Sequence, residues 1–421
     1  MNLPRVRSRW LWTALAVIVA LTVVTLLVDA RRDADPQPGP SASASASAVQ
    51  RTLLVQARND AELAVDNVIF GAGGGLPTAE LLVPSRLVVE PVGSAPETVA
   101  DTARALNRST SQVVLGELFA ARIDTTLSLG RLALAGMVDF VGGIDVQVDT
   151  AITAVDPQTG QRVVVVAAGD QHLAGTQAAA YALAWLPGEA ETARLERYSQ
   201  VMTRTIAALP DDQLRIEQML SSLGGSARTT SSRTQVASML LALRPALAAG
   251  SQARGVLPTV GPTHPNATAT PTAGASPGGT APPATTPSDV EPRLRLVRIR
   301  LPEASSLVSS RLGGALLDPQ DVRPRVLVRD GVGVAGASTL ARTRISGAGL
   351  VAIEGGATEP LGRTETRIDV GSGADAADLG ERIADALGLP ETAVARGQAV
   401  VAGAEAVVLL GSDFEQGANR G

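Results

Sequence analysis

The feature that most constrains this chain of 421 residues is a stretch of low complexity within residues 258–292, PTVGPTHPNATATPTAGASPGGTAPPATTPSD. Its proline, threonine and small residues bury too little apolar surface to offset the entropy of ordering, so we predict an extended spacer. A second stretch of this kind, DPQPGPSASASASAVQ, lies within residues 31–50. The two spacers separate an N-terminal segment, a long region over residues 51–257 and a C-terminal region.

The N-terminal segment contains an uncharged apolar run from Trp10 to Val28, which follows Arg5, Arg7 and Arg9. As a helix the run spans ~28 Å, about the thickness of one hydrocarbon core. Arginines on one side of such a run favour a cytoplasmic N-terminus. We therefore predict an uncleaved, single-pass anchor over residues 1–30, with the rest of the protein outside the cytoplasm. The alternative is a cleaved signal, with the small residues Val28 and Ala30 before the cut.

The composition excludes several classes of site. The sequence has no cysteine and no lysine, which excludes disulfides, thiolate zinc sites, cysteine nucleophiles, Schiff bases and a P-loop lysine. A net charge of -5 lacks the basic field of nucleic-acid binders, so no nucleic-acid partner is expected. His264 lies in the spacer, so His172 is the one histidine in a region predicted to fold, and a histidine metal site is not expected.

Residues 51–257 alternate strand-like runs with helical spacings, which predicts an α/β layered domain. The strand-like runs are RTLLVQ, AELLVP, RLVVEPV and GGIDVQVD. The helical spacings are LSLGRLALAGMVDFV and RLERYSQVMTRTIAAL.

Two stretches in this region carry a family resemblance. Residues 137–152, MVDFVGGIDVQVDTAI, resemble the helix, double-glycine turn and strand of the LytR-CpsA-Psr family. Residues 169–206, GDQHLAGTQAAAYALAWLPGEAETARLERYSQVMTRTI, are similar to the family's turn and helix, in which an acidic residue precedes two arginines three apart. The resemblance implies a membrane-anchored phosphotransferase that moves a glycopolymer from a polyprenyl-phosphate lipid onto a cell-wall polymer, with Mg²⁺ as the cofactor.

The resemblance also implies site residues. Arg194 and Arg197 match the family's arginine pair, and Arg86 stands one position after the place of its loop arginine. Asp66 matches a metal-binding aspartate, and Asp60 is the weaker candidate for a second metal ligand. Glu191 replaces the family's usual aspartate.

Two departures weaken the expected chemistry. The family's arginines in the helix after Tyr181 are replaced by Leu183 and Trp185, and the loss of one charge-stabilising donor costs ~3 kcal/mol of barrier. This predicts weak or absent catalysis. The spacing of Glu191, Arg194 and Arg197 also fits a solvated, salt-bridged helix face, an alternative that the residues leave open.

Residues 324–415 form two similar halves, each with a strand, a glycine turn and a helix. The first half contains RVLVRDGVGVAG, in which Gly331, Gly333 and Gly336 spell the G-x-G-x-x-G of a dinucleotide-binding turn. The second passes from ETRIDV through GSG to a helix that ends at Gly388, and AVVLLGSDF is predicted to close the sheet. The unit is similar to the LytR C-terminal domain, so we expect a structural turn and no NAD.

These observations predict seven segments: an anchor at 1–30, a linker at 31–50, an α/β LytR-CpsA-Psr-like domain at 51–257, a linker at 258–292, a connecting strand at 293–323, a small α/β domain at 324–415 and a tail at 416–421. The connecting strand is inferred from RLRLVRIRL, in which arginine alternates with apolar residues.

The expected role is glycopolymer attachment in the cell envelope. The alternative is a non-catalytic envelope binding or scaffold protein with the same fold, and a Ser/His/Asp hydrolase built on His172 is third.

Overall fold

The structure, a computed structural model, describes residues 49–91, 96–104, 110–156, 158–261, 296–318, 322–334, 336–358 and 360–414. The predicted anchor, the first linker apart from its last two residues and most of the second linker lie outside these residues. No helix within the described ranges is long and apolar enough to cross a membrane. The described residues all belong to one compact unit, Val49–Gly421.

The strands are β1 (Arg51–Arg58), β2 (Ala64–Ala72), β3 (Ala79–Val83), β4 (Val88–Val89), β5 (Glu97–Thr98), β6 (Thr125–Gly130), β7 (Ile144–Val148), β8 (Ile152–Val155), β9 (Arg162–Val166), β10 (Gly169–Leu173), β11 (Ala227–Thr229), β12 (Ala253–Val256), β13 (Thr259–Val260), β14 (Arg298–Ile299), β15 (Arg325–Asp330), β16 (Val351–Ala357), β17 (Arg367–Val370), β18 (Val394–Ala395) and β19 (Ala406–Leu410). The helices are α1 (Val99–Thr102), α2 (Thr110–Phe119), α3 (Arg131–Phe140), α4 (Gly175–Leu183), α5 (Glu191–Ala207), α6 (Gln213–Ser222), α7 (Arg233–Ala248), α8 (Leu301–Leu312), α9 (Ala337–Gly347) and α10 (Ala376–Leu387).

The larger sheet has six strands in the order β11-β6-β1-β2-β3-β12, with β1 parallel to β6 and antiparallel to β2. Side chains alternate along β1, so Leu53 and Val55 pack on one face while Leu54 packs on the other. Both faces of the sheet are therefore buried, which explains why β1 reads as a continuous apolar run. The α/β prediction for this region is confirmed.

The first face of this sheet is covered by α3 to α7, whose buried side chains form one apolar cluster with it. The second face packs with α2 and α8. The cluster on that second face also contains Leu327, Val351 and Val407 from the C-terminal region. Residues before and after the predicted linker therefore share one apolar core, while the predicted domain boundaries themselves stay a prediction.

The smaller sheet has the order β16-β15-β19-β17-β18. Each predicted half is present as a strand, a helix and a parallel strand: β15, α9 and β16 form the first, and β17, α10 and β18 the second. The predicted last strand is present as β19, and it lies between β15 and β17. Its side chains are buried on both faces, with Val407 in one cluster and Val408 in the other, and a central position buries them best.

The connecting segment also differs from the prediction. Among the described residues of this segment, Arg298 and Ile299 form a strand, β14, which pairs with β13, and the helix α8 begins at Leu301. Proline at the second position and Glu303 in the first turn favour a helix start. The buried residues of α8, Leu301, Ala304, Val308 and Leu312, follow helical spacing, and the arginine alternation before them concealed this signal.

Candidate functional site

Four of the five predicted site residues lie close to one another, where α5 packs against the larger sheet. Asp66 lies in β2, Arg86 follows β3, and Arg194 and Arg197 lie in α5. The helix carries an acidic residue in its first turn and Arg204 in its last, as its dipole favours.

Asp66 and Arg194 form a fully buried ion pair. Arg194 Nε donates to Asp66 Oδ1 at 3.1 Å, and its Nη2 donates to the carbonyl oxygen of Val65. Both side chains are 0% exposed. The guanidinium carbon also lies 3.8 Å from the ring centroid of Trp185, within the range of a cation–π contact. The arginine that the family resemblance assigns to phosphate binding is therefore enclosed by protein groups.

Arg86 is paired with Glu191, the first residue of α5. Arg86 Nε donates to Glu191 Oε2 at 2.7 Å. The other carboxylate oxygen accepts from the backbone N–H of Ser85 at 2.7 Å and from the Ser85 hydroxyl. Glu191 thus ties the loop after β3 to the start of α5, and its side chain is 5% exposed.

Arg197 binds the turn between α4 and α5. Its Nε donates to the carbonyl oxygen of Tyr181 at 3.1 Å, and its Nη2 donates to Glu189 Oε2 at the same distance. Arg197 Nη1 is ion-paired with Glu189, and the carbonyl oxygen of Ala184 accepts a further bond from Nη2. This guanidinium therefore also faces an internal carboxylate.

Burial controls the electrostatics of the cluster. Desolvation raises the pKa of Asp66 to about 6, although the neighbouring Arg194 opposes the shift. Burial, followed by the nearby Asp66, also raises the pKa of Tyr198 well above its usual value. Within the described residues, three buried atoms of this cluster have no hydrogen-bond partner: Asp66 Oδ2, Arg194 Nη1 and the Tyr198 hydroxyl.

The arrangement does not offer Mg²⁺ the ligands that the resemblance implies. Mg²⁺ requires near-octahedral oxygen ligands and usually keeps several waters. Asp66 is enclosed and already faces a guanidinium, and Asp60 is exposed in the turn after β1. The described part of the chain contains no group of three or more acidic or histidine residues placed to hold a metal. The magnesium site stays a prediction.

His172 lies in β10, and its ring binds Asp145 of β7 and the turn before β7. Its Nδ1 lies 2.7 Å from Asp145 Oδ1, and its Nε2 lies 3.1 Å from the carbonyl oxygen of Gly142. The hydrogen bond to Asp145 raises the pKa of the imidazole. Both ring nitrogens are engaged, so the structure gives the hydrolase alternative no free base at this histidine.

The glycine turn after β15 binds its own side chain. Asp330 Oδ1 accepts from the backbone N–H groups of Val332 at 2.9 Å and Gly333 at 3.0 Å. Gly333 has φ +79°, which favours glycine, and a Cβ on Gly331 would lie 2.5 Å from the carbonyl oxygen of Leu410. The N–H groups of such a turn would bind a pyrophosphate in a nucleotide site. Here a carboxylate occupies two of them.

Sequence reasoning missed two partners of the arginines, Glu189 and the stacked ring of Trp185. It also missed the hydrogen bonds that Ser85 donates to Glu191. Trp185 was identified only as a replacement for an arginine. Two local signals were present: Glu189 lies in the Leu-Pro-Gly-Glu turn immediately before α5, and Trp185 is the one tryptophan of the long region.

Several solved structures are similar to part of this chain. B. subtilis TagV is 14% identical, over 52% of this chain and 88% of that chain, with a TM-score of 0.43. The LytR-Csp2A-Psr enzyme from Actinomyces oris is 17% identical, over 51% and 85%, with a TM-score of 0.39. TagT bound to LIIa-WTA is 15% identical, over 51% and 82%, with a TM-score of 0.40.

These structural likenesses, at low identity and TM-scores below 0.5, carry no functional conclusion, and no curated relative matches the chain. The family comparison is more specific, since residues 110–252 match the LytR_cpsA_psr family. That range includes the helix with Arg194 and Arg197. The resemblance read from the sequence is thus confirmed for residues 110–252, which are similar to the LytR-CpsA-Psr family.

Proposed function

We propose that this protein is a non-catalytic cell-envelope protein of the LytR-CpsA-Psr type, which binds or organises wall glycopolymer without transferring it. One observation carries the proposal: Arg194 is fully buried, paired with Asp66 and covered by Trp185. A phosphoryl-transfer site needs guanidinium donors that are free to meet the phosphates. Arg194 Nε cannot turn to a ligand without leaving the buried Asp66 carboxylate unpaired, Nη2 is bonded to the carbonyl oxygen of Val65, and the unpartnered Nη1 is itself buried.

The charge balance of the cluster supports the same conclusion. Arg86, Arg194 and Arg197 face the carboxylates of Glu191, Asp66 and Glu189, so three positive charges meet three negative charges. A pyrophosphate would have to displace these carboxylates, and breaking a buried ion pair is costly. The replacements at Leu183 and Trp185 also remove the surplus positive charge that the family's arginines would supply.

The proposal extends to the protein's place in the cell. The predicted anchor would hold the chain in the membrane, with the N-terminus in the cytoplasm and the family region outside, near polyprenyl-phosphate lipid and wall polymer. The support is the apolar run after three arginines and what the family resemblance implies. The runner-up function is glycopolymer phosphotransferase, and the convergence of Asp66, Arg86, Arg194 and Arg197 in one cluster is the observation that favours it.

A cleavage assay separates the two functions. The full chain in detergent is incubated with a polyprenyl-pyrophosphate glycan and Mg²⁺, and lipid release is followed by chromatography. We expect no turnover from the wild type. Leu183→Arg with Trp185→Arg uncovers Arg194 and adds two charges, and we expect it to raise phosphate-lipid binding at least about ten-fold, the scale of one charge-assisted contact.

Two controls keep this test specific. Trp185→Phe keeps an aromatic ring on Arg194 and should leave lipid binding at the wild-type level. Leu132→Arg adds a charge at a surface site that is 75% exposed and should do the same. Mg²⁺-dependent cleavage by the wild type that is lost in Asp66→Ala would reject the non-catalytic proposal and establish the transferase.

A further inference from the structure

An open groove of ≈ 410 Å³ lies beside the two-stranded sheet of β7 and β10, and no residue of the Asp66 cluster lines it. This volume is within the range of small-ligand sites, ~300 to 1,000 Å³. Apart from Val146, its lining is polar: Asp145, Gln147, Asp170, Gln171, His172 and Arg204. Most ligand sites have a mainly apolar lining, so this groove suits a ligand that is rich in hydrogen-bonding groups.

The register of the two strands places four of these side chains on one exposed face. Asp145 is opposite His172, and Gln147 is opposite Asp170. Opposed residues of an antiparallel pair have Cβ atoms ~4.5 to 5.5 Å apart, and residues two apart along a strand share a face. The alternate residues of β7 are apolar and buried in the core. The core therefore fixes the face from which the four polar side chains project.

The imidazole of His172 forms a fixed wall of the groove. It binds Asp145 through Nδ1 and the carbonyl oxygen of Gly142 through Nε2. Gly143 has φ +97°, and a Cβ on this residue would overlap His172 Nε2. The double-glycine turn thus has room for the ring because residue 143 is a glycine. A wall that is in place before the ligand arrives lowers the entropy cost of binding.

Three further side chains of the groove are available to a ligand. Among the described residues, the side chains of Gln147, Asp170 and Arg204 form no hydrogen bond or ion pair with other protein groups. A carboxylate only accepts hydrogen bonds, a guanidinium only donates them, and an amide does both. A hydroxyl group also donates and accepts, so adjacent hydroxyls of one ligand would find partners of both kinds here.

The charge of the groove favours a neutral ligand over an anion. The carboxylates of Asp145 and Asp170 are accompanied by one guanidinium, that of Arg204, and by the imidazole. Phosphate is usually held by arginine forks without competing carboxylates. The two aspartates do not indicate a cation site either, because the described ranges contain no group of three or more acidic or histidine residues placed to hold a metal. A hydroxyl-rich glycan is the ligand class that matches this lining.

We propose that the groove binds a short neutral stretch of wall glycan, with Asp170 accepting hydrogen bonds from sugar hydroxyls and with Gln147 and Arg204 donating to them. This assignment rests on the proposed function, because it names the surface that holds the polymer in a protein whose phosphate cluster is closed. The contact is with the sugar rings and not with a phosphate group.

Fluorescence anisotropy with the full chain in detergent tests the assignment. The probe is the neutral oligosaccharide fraction of purified wall glycopolymer, freed of phosphate esters and labelled at its reducing end. We expect the wild type to bind this probe. Asp170→Ala and Arg204→Met should each weaken binding about ten- to hundred-fold, the scale of one charge-assisted contact. Inorganic phosphate in excess should not displace the probe.

Asp211→Ala and Arg215→Met are the matched controls, because each removes a charge of the same kind at an exposed position. Both should bind the probe as the wild type does. The groove variants and the controls should all melt at the wild-type temperature, since substitutions at exposed sites change stability little.

The outcomes separate the groove from the proposed function. Wild-type affinity in both groove variants, or binding of the intact glycopolymer without binding of the oligosaccharide, would overturn the groove and leave the proposed function standing. Displacement of the probe by inorganic phosphate would overturn the neutral glycan as the ligand. A wild type that binds neither the oligosaccharide nor the intact lipid-linked glycopolymer would reject the groove and the proposed function together.

Discussion

The replacement of Arg194 by methionine is the sharpest test of whether this arginine is a structural group or a ligand-binding group. Methionine keeps an unbranched apolar stem but removes the guanidinium, leaving Asp66 buried without its partner. Removing one member of a buried ion pair costs ~3 to 5 kcal/mol. The loss of the cation–π contact with Trp185, worth ~1 kcal/mol, adds to the cost. We expect Arg194→Met to lower the free energy of unfolding by ~4 to 6 kcal/mol at pH 8.

The loss of stability caused by Arg194→Met should increase with pH. Because the pKa of Asp66 is raised to about 6, its proton stabilises the folded state fully below about pH 3.8, and this contribution is lost as the pH rises through 6. Only the ionised carboxylate needs the guanidinium. The cost of Arg194→Met should therefore be smaller at pH 5 than at pH 8, and Asp66→Asn should remove the pH dependence that Asp66 gives the wild type.

A double replacement completes the cycle. When Asp66→Leu accompanies Arg194→Met, neither charge of this pair remains buried, and well-packed apolar replacements of ion pairs are often neutral. We expect the double variant to lose less than the sum of the single losses by at least ~2 kcal/mol, since residues in direct contact couple strongly.

Urea unfolding gives these free energies, with the fluorescence of Trp185 as the signal after Trp10→Phe and Trp12→Phe remove the other two tryptophans of the chain. Arg215→Met, an exposed position of α6, is the matched control and should change stability by less than ~0.5 kcal/mol. The reasoning fails if Arg194→Met is as stable as the control variant. Loss of bound polyprenyl phosphate in a fully stable Arg194→Met would instead identify an open phosphate site.

Two further predictions concern the glycine turn and the anchor. Gly333→Ala should lower the free energy of unfolding of the full chain by ~1 to 2 kcal/mol, because an alanine at φ +79° is strained. Calorimetry with added NAD should show no shift in melting temperature for the wild type or the variant. A shift that grows with NAD concentration would contradict the structural role. Protease added to intact cells should digest the chain after residue 50 if the anchor has the proposed orientation, and protection of the C-terminal region until the cells are lysed would reject it.

Local pattern was sufficient for the elements whose signals are local. The short apolar run of RTLLVQ predicted β1, and the strand, glycine turn and helix of the C-terminal repeat are present in both halves. The closing parallel strands β16 and β18 were missed because they are short or contain glycine, which weakens a strand pattern. The central place of β19 was missed because strand order is set by contacts between distant residues, here Val407 and Val408 with the two opposite clusters.

The sequence predicted which residues belong to the site but not which residues pair with them. Spacing and resemblance brought together Asp66, Arg194 and Arg197, and the structure places them in one cluster. Their partners depend on the conformation of the turn before α5, which carries Glu189, and on the ring of Trp185. A turn of this kind has no periodicity, so the sequence predicts that it exists and not where its side chains lie.

The residue spacing in α5 nevertheless indicated that Arg194 is buried. Arg194 lies four residues before Tyr198 and seven before Val201, and both of these residues are fully buried. Residues at these separations share one helix face, so Arg194 belongs to the apolar stripe of the helix and Arg197 lies beside it. An arginine on an apolar stripe must find an acidic partner inside the protein, because a lone buried charge is prohibitively costly. Asp66, which the resemblance assigns to a metal, is that partner, and its ion pair with Arg194 explains why neither residue is free for phosphate or Mg²⁺ in this structure.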